Sequence, residues 1–208
     1  MKDDAKKDRN AGKLFRSTGG YNNAVLNRGG DPESEFGLYG DAYHRAAKVL
    51  IERTASRGST NSYDVCPIVF LYRQALELQL KAVILGWNAI SRLQGKDYLG
   101  GKDIFQEHKL VELLKFGGRI IVDEMSWKDK FEEVGGYAAF KEIIDEFHRI
   151  DPRSDAFRYP ANTNGESNKA NHFAFDVRLL ADRLEPILEL LWAAADSLDD
   201  HYQGMCEQ

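Results

Sequence analysis

The longest apolar stretch of the chain runs from Val65 to Trp87 and contains only three charged residues. Its apolar positions are spread almost all the way around a helical circumference. A helix that is apolar on most of its faces packs at the centre of a bundle, because each of those faces needs a neighbour. The pattern therefore predicts a central helix from about Tyr63 to Arg92, with Pro67 tolerated in its first turns, where a missing N–H matters least.

The three charged residues of this helix, Arg73, Glu77 and Lys81, recur every four residues. Positions four apart lie on nearly the same helical face, so Glu77 can pair with the cation on either side of it. A charge removed from water without a partner is costly, so the row must be paired or functional. It is either a structural ion-pair ladder or a site that holds an anionic ligand or lines a dimer interface.

Helical spacing also occurs in four other parts of the chain. It predicts helices over Ser34–Ala55, Phe105–Lys115, Tyr137–His148 and Phe175–His201. The second of these is expected to stop at Phe116-Gly117-Gly118 as a glycine C-cap, and the third has a possible earlier start near Lys128, broken at Gly135-Gly136. In the last helix, Trp192 is placed among the residues that face the core.

The segments between these helices lack a clear period. Residues 119–127 are too short to be typed as a strand or a helical turn, and residues 151–171 form a loop longer than a compact domain needs for a connection. Residues 1–33 read as a polar, mobile arm, and residues 203–208 as a tail. The expected architecture is a single-domain, all-α bundle of about five helices over residues 34–202.

Composition narrows the possible functions. The chain has 208 residues, 28 of them Lys or Arg and 33 Asp or Glu, so it does not bind nucleic acid through bulk positive charge and any such site is a local patch. The apolar stretch carries too many charges to cross a membrane, and the N-terminus does not resemble a signal peptide, which favours a cytoplasmic location. Cys66 and Cys206 are expected to be free thiols. No fingerprint of a cofactor or metal site is found, so none is expected.

Cations, carboxylates and aromatic rings are concentrated in the predicted loop, at Asp151, Ser154, Phe157, Arg158 and Tyr159. The two rings can stack on a base while the Arg158 guanidinium pairs with a phosphate, the combination used by sites for single-stranded nucleic acid. Alternatively, the rings close the end of the bundle and Arg158 pairs with an acid such as Glu77. The sequence leaves both interpretations open.

Two histidines are candidates for a chemical role. His108 lies at the start of the third helix, where it either caps or packs, or serves as a ligand or catalytic group. His172 lies just before the last helix. If the loop folds back, Glu77, His108, Arg158 and His172 converge and supply an acid–base pair with a cation for phosphoryl chemistry.

Several motifs occur in a distinctive order: YHRAAKVL from Tyr43, ALELQLKA from Ala75, HKLVELL from His108 and FRYP from Phe157. Together, over residues 36–200, they resemble the HEPN superfamily. These proteins are all-α bundles found in prokaryotic toxin–antitoxin, defence and nucleotide-associated systems. The resemblance implies an HEPN-like fold, and a homodimer in which the site loops of two bundles meet.

The resemblance also bears on activity. Active ribonucleases of the superfamily resemble one another in an Arg followed four to six residues later by a His near the start of the final helix, and no Arg of this chain has a His at that spacing. The expected function is therefore an RNA- or nucleotide-associated module with little or no catalysis. The alternatives are a metal-independent ribonuclease toxin that uses Arg158 with His172 or His108, and a non-enzymatic protein-interaction module whose charged row pairs with a partner protein.

Overall fold

A computed structural model describes residues 32–55, 63–97, 102–168 and 174–207. Within these residues the fold consists of six α-helices: α1 (Pro32–Ala55), α2 (Val65–Leu93), α3 (Leu110–Arg119), α4 (Lys128–Glu133), α5 (Gly136–Ile150) and α6 (Val177–Cys206). A 3-10 turn (Lys102–Phe105) precedes α3, and a π-helical turn (Ile120–Glu124) follows it. The only strand pairing in this part of the chain is one isolated bridge, between Ala161 and Ser167. The predicted all-α class is confirmed.

Helix α2 lies at the centre of the bundle, as its apolar circumference predicts. It packs against α1 and α6 on one side and against α3 on the other. Many of its apolar side chains, including Tyr72, Leu76, Leu80 and Ile84, are fully buried. Burial on several faces accounts for the scarcity of polar residues in this helix.

A second group of helices packs around α3. Helix α5 lies against α3, and the short α4 lies against α5. The buried side of α5 is the predicted stripe of Phe140, Ile143, Ile144 and Phe147. Gly135 and Gly136 separate α4 from α5 with positive φ angles of 97° and 76°, a conformation that favours glycine, so the predicted break is confirmed.

The predicted end of the third helix at Phe116-Gly117-Gly118 is wrong. Helix α3 continues through both glycines to Arg119 and merges with the π-helical turn, whose Ile120 and Ile121 are buried. A Cβ on Gly117 would lie 2.9 Å from the Cδ2 of Leu80. The glycine therefore allows α3 to approach α2 closely instead of ending a helix. Residues 119–127, left open by the sequence, contain no strand.

Helix α6 begins where the side chain of Asp176 accepts hydrogen bonds from the backbone N–H groups of Arg178 and Leu179, at 2.8 and 3.1 Å. It extends to Cys206, beyond the predicted end at His201. Leu184, Ile187, Leu188 and Leu191 face the core as predicted. Trp192 does not: it is 47% exposed, because it falls at the edge of the apolar stripe.

The predicted arm falls mainly on residues outside the described ranges, which begin at residue 32, so its mobility stays a prediction. Both cysteines are free thiols, as expected. None of the described helices is long and apolar enough to span a membrane.

The packing of Gly117 can be tested by substitution. We expect Gly117→Ala to lower the free energy of unfolding by about 1–3 kcal/mol, because the added methyl group meets the buried Leu80 and overpacks the contact between α2 and α3. Urea denaturation measures the change. Gly204→Ala is the control, because a Cβ there meets no atom within 4 Å and alanine favours a helix. Equal effects of the two substitutions would contradict the packing role.

Candidate functional site

The charged row of α2 is a buried ion-pair ladder. Arg73, Glu77 and Lys81 are 1%, 2% and 2% exposed. The two oxygens of the Glu77 carboxylate divide the cations: Oε2 accepts from Nη1 of Arg73, and Oε1 accepts from Nζ of Lys81, each at 3.1 Å. The predicted pair of successive ion pairs is confirmed. A ligand or partner chain would have to open the bundle to reach these side chains.

The two cations of the ladder also bind the backbone of the segments that cross it. Arg73 Nη2 donates to the carbonyl of His108 at 2.9 Å, and Arg73 Nε donates to the carbonyl of Asp151 at 3.3 Å. Lys81 Nζ donates to the carbonyl of Phe105 at 3.2 Å. The ladder therefore positions both the segment before α3 and the start of the loop after α5.

His108 is anchored by the same carboxylate. Its Nδ1 lies 2.8 Å from Oε1 of Glu77, and its side chain is 61% exposed. It does not cap α3: that position is occupied by Lys109, which makes no side-chain capping bond. With a proton on Nδ1, the imidazole donates to Glu77 and presents Nε2 to solvent as a proton acceptor. A buried carboxylate that orients an exposed imidazole is typical of a general-base pair.

The loop after α5 is organised by Asp151, which is 1% exposed. Its Oδ1 accepts from the backbone N–H groups of Asp155 and Ala156, at 2.8 and 3.0 Å, and its Oδ2 lies 3.5 Å from Nε of Arg73. Ser154, also buried, adopts a positive φ of 64° in this turn. The backbone N–H groups of Arg158 and Tyr159 both donate to the carbonyl of Asp155. Asp151 thus connects the ladder to the turn that presents Arg158.

Arg158 lies against two aromatic rings at the surface. Its guanidinium carbon is 5.6 Å from the centre of the Phe70 ring and 5.0 Å from that of Tyr159, and Nη2 donates to the Tyr159 hydroxyl at 3.0 Å. Within the described ranges it has no carboxylate partner. The alternative that paired Arg158 with Glu77 is wrong, because Arg73, Lys81 and His108 already occupy that carboxylate.

The two rings of the loop differ in role. Phe157 is half-buried and packs against the core, so it closes part of the bundle surface. Tyr159 is 51% exposed, and its ring stays available beside Arg158. Phe157 therefore agrees with the interpretation that the loop closes the bundle, whereas stacking of a base on Tyr159 stays a prediction.

Helix α2 brings Arg158 and His108 to the same side of the bundle. Arg158 contacts Phe70, and His108 contacts Glu77, which follows Phe70 by seven residues and so lies on nearly the same helical face. Seven residues correspond to a rise of about 10 Å. His172 lies outside the described residues, so its convergence with these groups stays a prediction.

A second carboxylate cluster was missed by the sequence reasoning. Glu185 of α6 accepts from the hydroxyl of Tyr72 and lies 2.8 Å from Nε2 of His44 and 2.9 Å from Nζ of Lys48. It thereby joins α6 to α2 and α1. In the sequence, the one indication of this cluster is that Glu185 directly follows Leu184, an apolar residue predicted to face the core.

Opposing effects act on the pKa of Glu185. Burial raises the pKa of its carboxyl, but hydrogen bonds from Tyr72, Lys48 and His44 outweigh burial and hold the pKa below its ordinary value. Burial and the hydrogen bond to Glu185 raise the pKa of the Tyr72 phenol, and the same carboxylate raises the pKa of Lys48. Glu185 is therefore ionised at neutral pH, and Tyr72 and Lys48 keep their protons.

No known protein family, curated protein or solved structure matches this chain. Among the described residues, no group of three or more His, Cys, Asp or Glu side chains is arranged to hold a metal ion. The resemblance to the HEPN superfamily rests on the four motifs and stays a prediction.

Removal of the ladder's central charge should destabilise the fold strongly. We expect Glu77→Ala to lower the free energy of unfolding by about 2 kcal/mol or more, because two buried cations lose their partner. Urea denaturation measures the effect. Glu112→Ala breaks an exposed pair with Lys115 and should cost about 0.5 kcal/mol or less. A similarly small effect of Glu77→Ala would show that the ladder contributes little.

The Glu185 cluster should make stability depend on pH. Its lowered pKa means that the unfolded chain binds a proton more readily, so the contribution of Glu185 is present above the ordinary pKa of 4.5 and is lost as the pH falls through the lower folded value. We expect Glu185→Gln to cost about 1–2 kcal/mol at pH 7 and less at pH 3. Urea midpoints at both pH values measure this. Glu189→Gln, one turn away and 68% exposed, should be nearly neutral, and a pH-independent loss would contradict the linkage.

Proposed function

We propose that this protein is an RNA- or nucleotide-associated module of the HEPN-like type, acting in a prokaryotic stress or defence system in the cytoplasm. The environment of the Arg158 side chain is the observation that supports binding of RNA or a nucleotide. This exposed cation lies against the rings of Phe70 and Tyr159 and has no carboxylate partner in the described chain. The cellular context derives from the resemblance of the motifs.

The chemistry of this cation suits an anionic, aromatic ligand. A guanidinium pairs with phosphate through its planar set of N–H donors, and a neighbouring exposed ring offers a stacking surface to a base. The whole chain has a net charge of −5, so bulk attraction to RNA is absent and binding depends on such a local group. Arg158 is held in place by Tyr159 and by the turn built on Asp151, so little freedom is lost when a ligand binds.

His108 provides a second contact on the same side of α2. The α2 residues that these two groups contact, Phe70 and Glu77, are about 10 Å apart along the helix axis. This distance corresponds to about three nucleotides of a stacked strand, at about 3.4 Å each. A short single strand can therefore lie along this face, with one phosphate at Arg158 and another group at His108.

A homodimer is part of the proposal. Leu38 of α1 and Trp192 of α6 are 70% and 47% exposed, and both line a groove of about 460 Å³ between α1, α2 and α6. Large apolar side chains gathered at one surface mark contact sites between chains. No described residue of the loop after α5 lines this groove, so it supports self-association but not the meeting of site loops that the resemblance implies.

A second candidate, a metal-independent ribonuclease, is favoured by the pairing of His108 with the buried Glu77. An imidazole oriented in this way can remove the proton of a ribose 2′-hydroxyl, while Arg158 stabilises the charge that develops on the phosphate. The chain has no Arg followed four to six residues later by a His, the pattern that active ribonucleases of the superfamily share, and this argues against ribonuclease activity. We therefore expect binding without robust cleavage.

One experiment separates these functions. We expect the protein to bind a fluorescent single-stranded RNA, and Arg158→Ala to weaken binding about tenfold, because one phosphate contact is lost and the Tyr159 ring loses the guanidinium beside it. Fluorescence anisotropy at several salt concentrations measures the affinity. In the variant, the slope of log affinity against log salt concentration should decrease in magnitude by about one, which corresponds to the loss of one phosphate contact. Arg149→Ala, an exposed arginine of α5, is the matched control and should change affinity little.

The same RNA, resolved on a gel without added metal, reports cleavage. Cleavage that Arg158→Ala and His108→Ala both abolish, with little change in melting temperature, would establish the ribonuclease instead. Absence of both binding and cleavage, together with a stable complex with a partner protein, would favour the interaction module and overturn the proposal.

A further inference from the structure

An open cavity of about 270 Å³ lies between α2, α5, α6 and the loop that carries Arg158. Its walls are mainly apolar: Val69, Ile143, Phe147, Phe157, Phe175 and Leu180. Three of these six are phenylalanines. The volume is close to the lower end of small-molecule sites, about 300 Å³.

Charged groups line the same cavity. Glu146 of α5 and Asp176 at the start of α6 contribute carboxylates, and Arg183 of α6 contributes a cation. The side chain of Arg183 is exposed and makes no ion pair or hydrogen bond within the described ranges. Asp176 uses Oδ1 to cap α6, so its second oxygen can accept a hydrogen bond. The cavity therefore combines aromatic walls with both acceptors and a cation.

The cavity borders the segments that carry Arg158 and Phe70, although neither of these residues lines it. Phe157 lines it and directly precedes Arg158, and Val69 lines it and directly precedes Phe70, the ring against which Arg158 lies. The two features therefore share the loop after α5 and the first turns of α2.

We propose that this cavity binds the base of a nucleotide, with the phosphate paired to Arg183. The inference rests on the proposed function and specifies its ligand site. The base comes either from a free nucleoside monophosphate or from a nucleotide of an RNA strand. In both cases the base packs against the phenylalanine rings, and its amino group donates to Glu146 or Asp176.

The charges distinguish this ligand from other apolar molecules of similar size. A fatty acid could pair its carboxylate with Arg183, but it has no donor for the carboxylates of Glu146 and Asp176. A base with an amino group instead donates hydrogen bonds to these carboxylates, and its phosphate pairs with Arg183. Stacking on a phenylalanine also uses the flat shape of a base, which an acyl chain lacks.

Calorimetric titration of the 208-residue chain with AMP tests the site. Leu179 lines the cavity and is 57% exposed, so Leu179→Trp fills the space with little cost to the core. We expect this variant to bind AMP at least about tenfold more weakly. Leu93→Trp is the matched control, because Leu93 is 49% exposed and lies outside the cavity, and it should bind AMP normally.

Ligands that lack one part of the nucleotide test each contact. Ribose 5-phosphate, which has no base, should bind at least about tenfold more weakly than AMP. Arg183→Gln should weaken AMP but leave adenosine, which has no phosphate, nearly unchanged. Arg119→Gln, at the end of α3, is the control and should affect neither ligand. Competition by AMP against the labelled RNA would show that an RNA base enters the cavity, whereas binding of both without competition assigns it to free nucleotides.

Other results would overturn the proposal. Equal binding of AMP by Leu179→Trp and the unaltered chain would exclude the cavity, as would ribose 5-phosphate binding as tightly as AMP. A change in oligomeric state in Leu179→Trp, with AMP binding unchanged, would assign this face to self-association. If RNA binding stays sensitive to Arg158→Ala in any of these cases, only the base site fails. If the unaltered chain does not bind RNA at all, the proposed function itself is wrong.

Discussion

The buried charge of Glu77 is the constraint on which the rest of this bundle depends. Its carboxylate is 2% exposed in the centre of the fold, so it must be compensated by cations that are themselves removed from water. Arg73 and Lys81 supply this compensation from the adjacent turns of the same helix. Each cation then has further N–H donors, and backbone carbonyls of the crossing segments accept hydrogen bonds from them. Charge compensation inside α2 thereby determines where the chain passes over it.

Contacts that begin at the buried ladder determine where the exposed side chains of the candidate site lie. Arg73 binds the backbone at both His108 and Asp151, and Asp151 in turn holds the turn that presents Arg158. Glu77 fixes the ring of His108 directly. His108 therefore contacts the buried carboxylate directly, whereas Arg158 is linked to it through Arg73, Asp151 and Asp155. Such support from rigid elements is what a binding site on a loop requires, because unsupported loop side chains lose more freedom on binding.

The Glu185 cluster is also a carboxylate surrounded by hydrogen-bond donors, but it joins helices to one another instead of positioning loops. Its carboxylate collects donors from two other helices, at Tyr72 of α2 and at His44 and Lys48 of α1, and so fixes how three helices pack. Tyr72 and Arg73 are neighbours in sequence but point to different sides of α2. One side of this helix is thus held to α1 and α6, and another side to the loops of the candidate site. Apolar packing alone is less directional and would define these contacts less sharply.

The sequence by itself determined the helical class, the central position of α2 and the pairing within its charged row, because helical periodicity and the spacing of Arg73, Glu77 and Lys81 are local properties of the chain. It also located Arg158 and His108 as candidate groups. The tertiary structure alone decided that Gly117 allows two helices to approach, that His108 pairs with Glu77, and that Glu185 joins three helices. All three features depend on contacts between residues that are far apart in sequence, from 31 positions for Glu77 and His108 to 141 for His44 and Glu185. No local pattern encodes such contacts, because they arise only when distant segments are brought together by burial of the core.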